Sequence, residues 1–137
     1  MKPFIFIFLI NCCAVLSTAQ ISFEARNSEY VDAKSGVSAR TSITAFENLL
    51  STAERRALLT GADKTMVRLS DFLGVIPAIT GKIELVYEGE QEGADGVAAI
   101  LIDDAVKSLF PKYFPEINKL ERKDAETPYD ELLHWFF

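Results

Sequence analysis

The stretch from Thr41 to Leu59 constrains this chain more than any other. Ile43, Phe46, Leu49, Leu50, Ala53, Ala57 and Leu58 recur in it at helical spacing, so one stripe of a helix of about five turns is apolar. Ser38 stands where an N-cap residue belongs. Gly61, in the run Thr60-Gly61-Ala62-Asp63, is placed to end the helix in a left-handed conformation. The chain is therefore expected to fold as an all-α domain, a small bundle of four to six helices built on the helix 41–59. The expected core includes Phe46, Leu49, Leu50, Ala53, Phe72, Val75, Ile79, Leu101 and Phe110.

At 137 residues the chain allows one domain with a real core. Its formal net charge is −6, and removing residues 1–20 takes away only Lys2, leaving the body more acidic still. That surface argues against general binding to nucleic acid or anionic membrane. The first twenty residues differ from the rest. Met1-Lys2-Pro3 leads into an apolar run from Phe4 to Leu16, and Ser17-Thr18-Ala19 follows. This is the layout of a secretory signal peptide, with cleavage expected after Ala19, and the run is short for a membrane span. Both cysteines, Cys12 and Cys13, lie in this leader, so the body gives no support for an oxidising compartment. The expected division is a signal-peptide-like or non-native leader, 1–20, and a helical domain, 21–137.

Along the body, 21–31 reads as a helix without a strong stripe, with Phe23, Tyr30 and Val31 expected to dock on the next helix. A turn spans 32–36. After the long helix, 66–69 reads as extended, and Ser70 is expected to cap a helix towards Thr80 that Pro77 kinks or shortens. Ile83 to Tyr87 is a compact apolar patch. The run 88–96 is acidic and glycine-rich, a loop or a weakened helix. A helix is expected over Val97 to Phe110, then a turn between Pro111 and Pro115. A short helix over 116–123 and a last amphipathic helix over 129–137 complete the reading.

Several runs imitate chemistry. Ala99-Ile100-Leu101-Ile102-Asp103-Asp104 has the form of a Walker B strand, whose acids would hold Mg²⁺. It needs a phosphate loop, and the nearest run, Gly61-Ala62-Asp63-Lys64-Thr65, has Asp63 where the second glycine belongs. Asp103 and Asp104 are therefore expected on the exposed side of a helix. His134 is the sole histidine, with Glu131 three residues before it, which is no metal set. Glu88, Glu90, Glu92 and Asp95 lack EF-hand spacing and are expected in a solvated loop. No G-x-S-x-G elbow is present. Glu54-Arg55-Arg56 is expected as helix-surface charge. No catalytic residue and no metal ligand is assigned within this chain.

Arg40 is the candidate that remains. It falls in the first turn of the long helix, where unpaired amides and the helix dipole favour an anion and where a guanidinium adds a bidentate donor. The run Tyr30-Val31-Asp32-Ala33-Lys34-Ser35-Gly36-Val37-Ser38-Ala39-Arg40 resembles the start of the sensor-2 helix in AAA+ ATPases of the MoxR and magnesium-chelatase group. The resemblance continues through Glu47 to Leu58, Val67 to Phe72 and Ile76 to Leu85, and is looser after Asp95. It implies a helical lid domain, C-terminal to a nucleotide-binding core that this chain does not contain. In that family Arg40 would reach the phosphate of ATP, with Mg²⁺ held by the core. The implied partners are the AAA+ core domain and neighbouring ring subunits, and basic residues of the 41–59 helix would face such a neighbour. The implied location is cytoplasmic; a working signal at Met1–Ala19 would instead make the chain secreted. Two functions follow: the lid of an ATP-driven ring, inactive by itself, or an exported helical binding protein without catalysis. A detached lid should expose apolar surface that a free-standing domain would bury.

Overall fold

The computed structural model describes residues 3–35, 37–114 and 134–135, with side chains from Val15 onward. Among these residues there are five α-helices: α1 (Pro3–Asn27), α2 (Arg40–Thr60), α3 (Ile76–Thr80), α4 (Tyr87–Glu92) and α5 (Ala94–Tyr113). A 3₁₀ helix, Leu69–Val75, runs directly into α3. The only extended pairing among them is an isolated antiparallel bridge between Val31 and Leu85. The fold is the all-α bundle that the hydrophobic spacing predicts.

α2 is its axis, about 30 Å long for its 21 residues. It ends at Gly61, whose φ of 67° lets its amide and that of Ala62 reach back to the last carbonyls. Its buried stripe is Thr41, Ala45, Leu49 and Ala53, at strict i, i+4 spacing. That face is rotated from the expected one. Phe46 and Leu50 are half-buried at its edge, while Ile43 and Leu58 are exposed. Small residues decide the direction: Ala45 and Ala53 let neighbouring backbones approach closely, which bulky side chains there would prevent.

The same logic governs α1. Its buried positions are Thr18, Ile21, Ser22 and Ala25, a clean helical stripe made mostly of small and polar residues. The stripe starts upstream of residue 21, and α1 crosses the 20/21 boundary without a break. Phe23, expected to dock on the next helix, is instead exposed, with the Arg26 guanidinium 5.8 Å from its ring centre. α1 lies against α5 and α2, and α5 presents Val97, Ala98, Leu101, Ala105 and Leu109 inward. A hydrogen bond of 2.7 Å from Ser108 to Glu24 ties the two helices at their surface. Fully burying Ile21, Leu49, Ile79 and Leu101 contributes about 1.5–3 kcal/mol each.

The segment from Leu69 to Thr80 runs antiparallel along α2. Asp71 meets Arg56, and a Cβ at Gly74 would collide with the Thr52 side chain, so the backbones touch where glycine permits it. Pro77 falls at the second position of α3, where its missing amide costs nothing; it starts this helix rather than kinking one. Asp71, not Ser70, caps the 3₁₀ helix by accepting the Arg68 amide at 2.8 Å. The acidic run forms α4, followed by Gly93 at φ 81°. α5 extends past the expected turn through Lys112 and Tyr113. The helix expected over 116–123 and most of the one over 129–137 lie outside the described residues.

Candidate functional site at the start of the long helix

Arg40 is the first residue of α2 and is exposed. Its side chain makes no hydrogen bond or ion pair among the described residues. Asp32, near in sequence, has other partners: it accepts the Lys34 amide at 2.8 Å and the Ser35 hydroxyl at 3.0 Å. Ser38 does satisfy the helix start, although Ala39 is the formal N-cap residue and makes no side-chain cap bond. The Ser38 hydroxyl accepts the Arg40 amide at 3.3 Å, and its carbonyl accepts the Thr41 amide at 2.9 Å. The first two amides of α2 are thus taken. An anion arriving here would meet the Arg40 guanidinium more than bare backbone.

Beside this end lies an open depression of about 360 Å³, walled by Ser35, Val37, Ser38, Lys82, Ile83 and Glu84. The antiparallel return along α2 is what brings Lys82 to Ser38, from more than forty residues away. The Ser35 hydroxyl also donates to Glu84, so an acid balances the lysine on this wall. Lys82 was not legible as a site residue, because nothing in the local pattern around Gly81 announces where its side chain lands.

The other arginine of interest behaves oppositely. Arg56 donates to Asp71 twice, from Nε at 2.9 Å and from Nη2 at 2.8 Å, and its Nη2 also donates to the Met66 carbonyl at 2.6 Å. Asp71 is 2% exposed. The Arg56 hydrogen bonds hold its carboxyl below the usual range, against the opposing effect of burial, and the Arg68 amide adds to the lowering. Arg56 is raised in turn, chiefly by the same bonds. Helix-surface charge is therefore the wrong description for Arg56, which serves as an internal clamp between α2 and the 3₁₀ helix. Arg55, its neighbour, is exposed.

The imitative motifs stay apart. Asp103 sits on the outer face of α5, paired at 2.5 Å with Lys107 one turn on, and Asp104 is half-buried on the same helix. The run 61–65 is the exposed exit from α2. Glu88, Glu90, Glu92 and Asp95 are exposed on α4 and the start of α5, so the acidic run takes the helical of its two expected forms. His134 is exposed, and Glu131 lies outside the described residues. Among the described residues no three His, Cys, Asp or Glu side chains converge.

The fold thus defines a small all-α bundle with a polar depression beside the start of α2. No family model matches the chain, and neither a curated protein nor a solved structure does. Among the described residues no helix is long and apolar enough to cross a membrane.

Proposed function

We propose that this chain is the helical lid of an AAA+ ATPase of the MoxR and magnesium-chelatase type, and that Arg40 is offered to the phosphate of ATP bound by a separate core domain. The observation that carries this reading is the contrast within α2: Arg56 is locked to a buried carboxylate, whereas Arg40 stands exposed without a partner among the described residues. A guanidinium held ready for a phosphate from another domain needs that freedom. The exposed Leu58, Leu59, Leu69 and Leu73 favour a lid over an exported self-contained binding domain, since they leave apolar surface for another part of the machine to cover. Mg²⁺ would belong to the core, and neighbouring ring subunits would be further partners.

The test adds the purified chain to a nucleotide-binding core of this family from which the lid has been deleted. ATP hydrolysis should rise with the wild-type chain and should stay at the core's own rate with Arg40→Ala. The chain without a core should turn over no ATP, because the run 61–65 cannot wrap a phosphate. Equal stimulation by wild type and Arg40→Ala would remove the assignment of Arg40. No stimulation by either would remove the lid reading.

A further inference from the structure

Helix α1 changes character along its length. From Phe4 to Leu16 the sequence is apolar at every position but Asn11, and no charge falls between Lys2 and Glu24. Phe4-Ile5-Phe6-Ile7-Phe8-Leu9-Ile10 are apolar in unbroken succession. They fill about two turns of helix, so the register puts apolar residues on every side of the axis and not along one stripe. From Thr18 onward the same helix follows another rule. Thr18, Ile21, Ser22 and Ala25 are buried in one stripe, while Phe23 and Arg26 are exposed. At the end of the apolar run the successive positions Val15 and Leu16 are 49% and 42% exposed, so the bundle does not enclose α1 there. A helix apolar on all sides belongs in the core of a large protein or in lipid, and this domain is small.

The two halves of α1 form one rod. The expected cleavage point after Ala19 falls inside the helix, between buried Thr18 and buried Ile21. Gln20 donates to Glu24 at 2.7 Å, and Glu24 also accepts the Ser108 hydroxyl of α5, so the residues around that point are tied into the bundle. α5 begins beyond the far end of α1, because it follows α4 directly and Gly89 of α4 packs on the Tyr30 carbonyl. By Ser108 it has come back to Glu24, so it runs antiparallel to α1 and ends on the Leu16 side. That end carries exposed Lys112, with Tyr113 and Phe114 49% and 51% exposed and Phe114 stacked on Phe110 at 4.5 Å. On these two helices the nearest carboxylates, Glu24 and Asp104, lie about two turns back from Leu16 and Lys112. Aromatic rings beside a lysine suit the head-group level of a bilayer.

We propose that α1 is retained and that its upstream half is seated in the hydrocarbon of a membrane, with the α5 end resting at the surface. Phe4 to Leu16 measures about 20 Å as a helix, against about 30 Å of hydrocarbon, so it enters the bilayer without crossing it. Lipid is the occupant because it surrounds a helix on all sides at once, whereas a protein groove takes one face. The driving force is burial of apolar side chains and needs no lipid charge, which fits a chain of net charge −6. This seat involves neither Arg40 nor nucleotide, and it stands or falls apart from the lid reading.

The experiment uses Cys12 and Cys13, the only thiols of the chain, which lie inside the apolar run. The full chain is transferred from mild detergent to phosphatidylcholine vesicles, treated with a water-soluble maleimide and floated on a density gradient. It should float equally at low and high salt, since no ion pair with lipid is involved. Ile7→Glu combined with Ile10→Glu should lower the floating fraction at least tenfold and speed thiol labelling at least tenfold. The melting temperature should not change, because both positions precede the buried stripe. Tyr113→Ser combined with Phe114→Ser should lower flotation severalfold with labelling still slow in the bound fraction. The mass of the chain recovered from expressing cells should still include Phe4 to Ala19. A wild-type chain that stays at the bottom of the gradient, or floats only with anionic vesicles at low salt, overturns the proposal. So does a glutamate pair that floats like wild type, an α5 pair without effect, or a recovered chain that begins at Gln20.

Discussion

Two arginines on one helix meet opposite fates. Arg40 opens α2 exposed and without an ion pair among the described residues; Arg56, sixteen positions on, is bound bidentately to a carboxylate that is 2% exposed. The difference comes from what the returning segment lays alongside. Near Arg56 the 3₁₀ helix brings Asp71, whose other task is to cap its own first turn. Near Arg40 the same segment has become the Lys82 wall, and the nearby acids Asp32 and Glu84 are engaged with Ser35. One end of α2 is therefore held together by charge, and the other leaves its charge available. The comparison can be broken or sharpened by substitutions graded from the first end to the second.

The largest effects belong to the clamp. Arg56→Ala should be the most damaging single change, because it strands the Asp71 carboxylate in the interior without its main partner. Asp71→Asn should cost about 2–3 kcal/mol, the loss of charge-assisted hydrogen bonds, moderated because Arg56 can turn towards solvent. Urea denaturation measures both, and a double variant less destabilised than the sum of the two confirms that they act as one unit. The pH dependence has a definite sign. The Asp71 carboxyl is lowered in the folded state, so its contribution is complete above the unfolded value of about 3.9 and is lost as pH falls through the folded value. The stability gap between wild type and Asp71→Asn should be constant at neutral pH and shrink only below about pH 4. A gap that closes near neutrality would mean Asp71 is not the ionised partner.

Next comes the contact that lets the clamp close. Gly74→Ala should cost about 1–3 kcal/mol, since the added methyl drives into the Thr52 side chain. In a Thr52→Ala background the penalty should fall, because most of the obstructing atoms are gone. A third change runs the other way. The Thr41 hydroxyl is fully buried and has no hydrogen-bond partner among the described residues. Thr41→Val keeps the branched shape and removes the unsatisfied group, so it should stabilise by about 1 kcal/mol. A measured loss from Thr41→Val would show that the hydroxyl has a partner in solution.

The long helix was legible because its signals are local: periodic apolar residues, Ser38 before it and Gly61 after it. Which way it faces was less so. Bulky Ile43 and Leu58 outweigh Ala45 in any hydrophobic stripe, yet close packing against α1 and α3 selects the small residues. The α1 stripe was missed for the same reason, being built from Thr18, Ser22 and Ala25 around one isoleucine. Asp103 could be placed on the exposed side of a helix because no phosphate loop accompanies the run before it; its pairing with Lys107 one turn on comes from the structure. The Arg56–Asp71 clamp could not be foreseen, because its partners are 15 residues apart across a change of element and each has polar neighbours that look the same. Arg40 was legible as the start of a helix; Lys82, which the tertiary return places beside that start, was not.

The smallest effect on stability is expected at Arg40, and that smallness is informative. Arg40→Ala removes an exposed side chain that makes no hydrogen bond or ion pair among the described residues. The amide contacts to Ser38 belong to its backbone and survive the change. The melting curve of the chain should therefore shift by less than the equivalent of about 0.5 kcal/mol. A slight gain is more consistent than a loss, since a positive charge at a helix N-terminus opposes the dipole. A reason for an arginine at this position would then have to lie outside the fold. In the lid reading that reason is a phosphate, and Arg40→Lys supplies the sharper comparison. Lysine keeps the charge and the modest dipole penalty but lacks the planar fork that grips two phosphate oxygens. With a lid-deleted core restored by this chain, Arg40→Lys should recover only part of the ATP hydrolysis lost in Arg40→Ala, while all three chains melt together. Full recovery by lysine would reduce Arg40 to a point charge. A large drop in melting temperature for Arg40→Ala would make it structural, like Arg56, and erase the distinction between the two ends of α2.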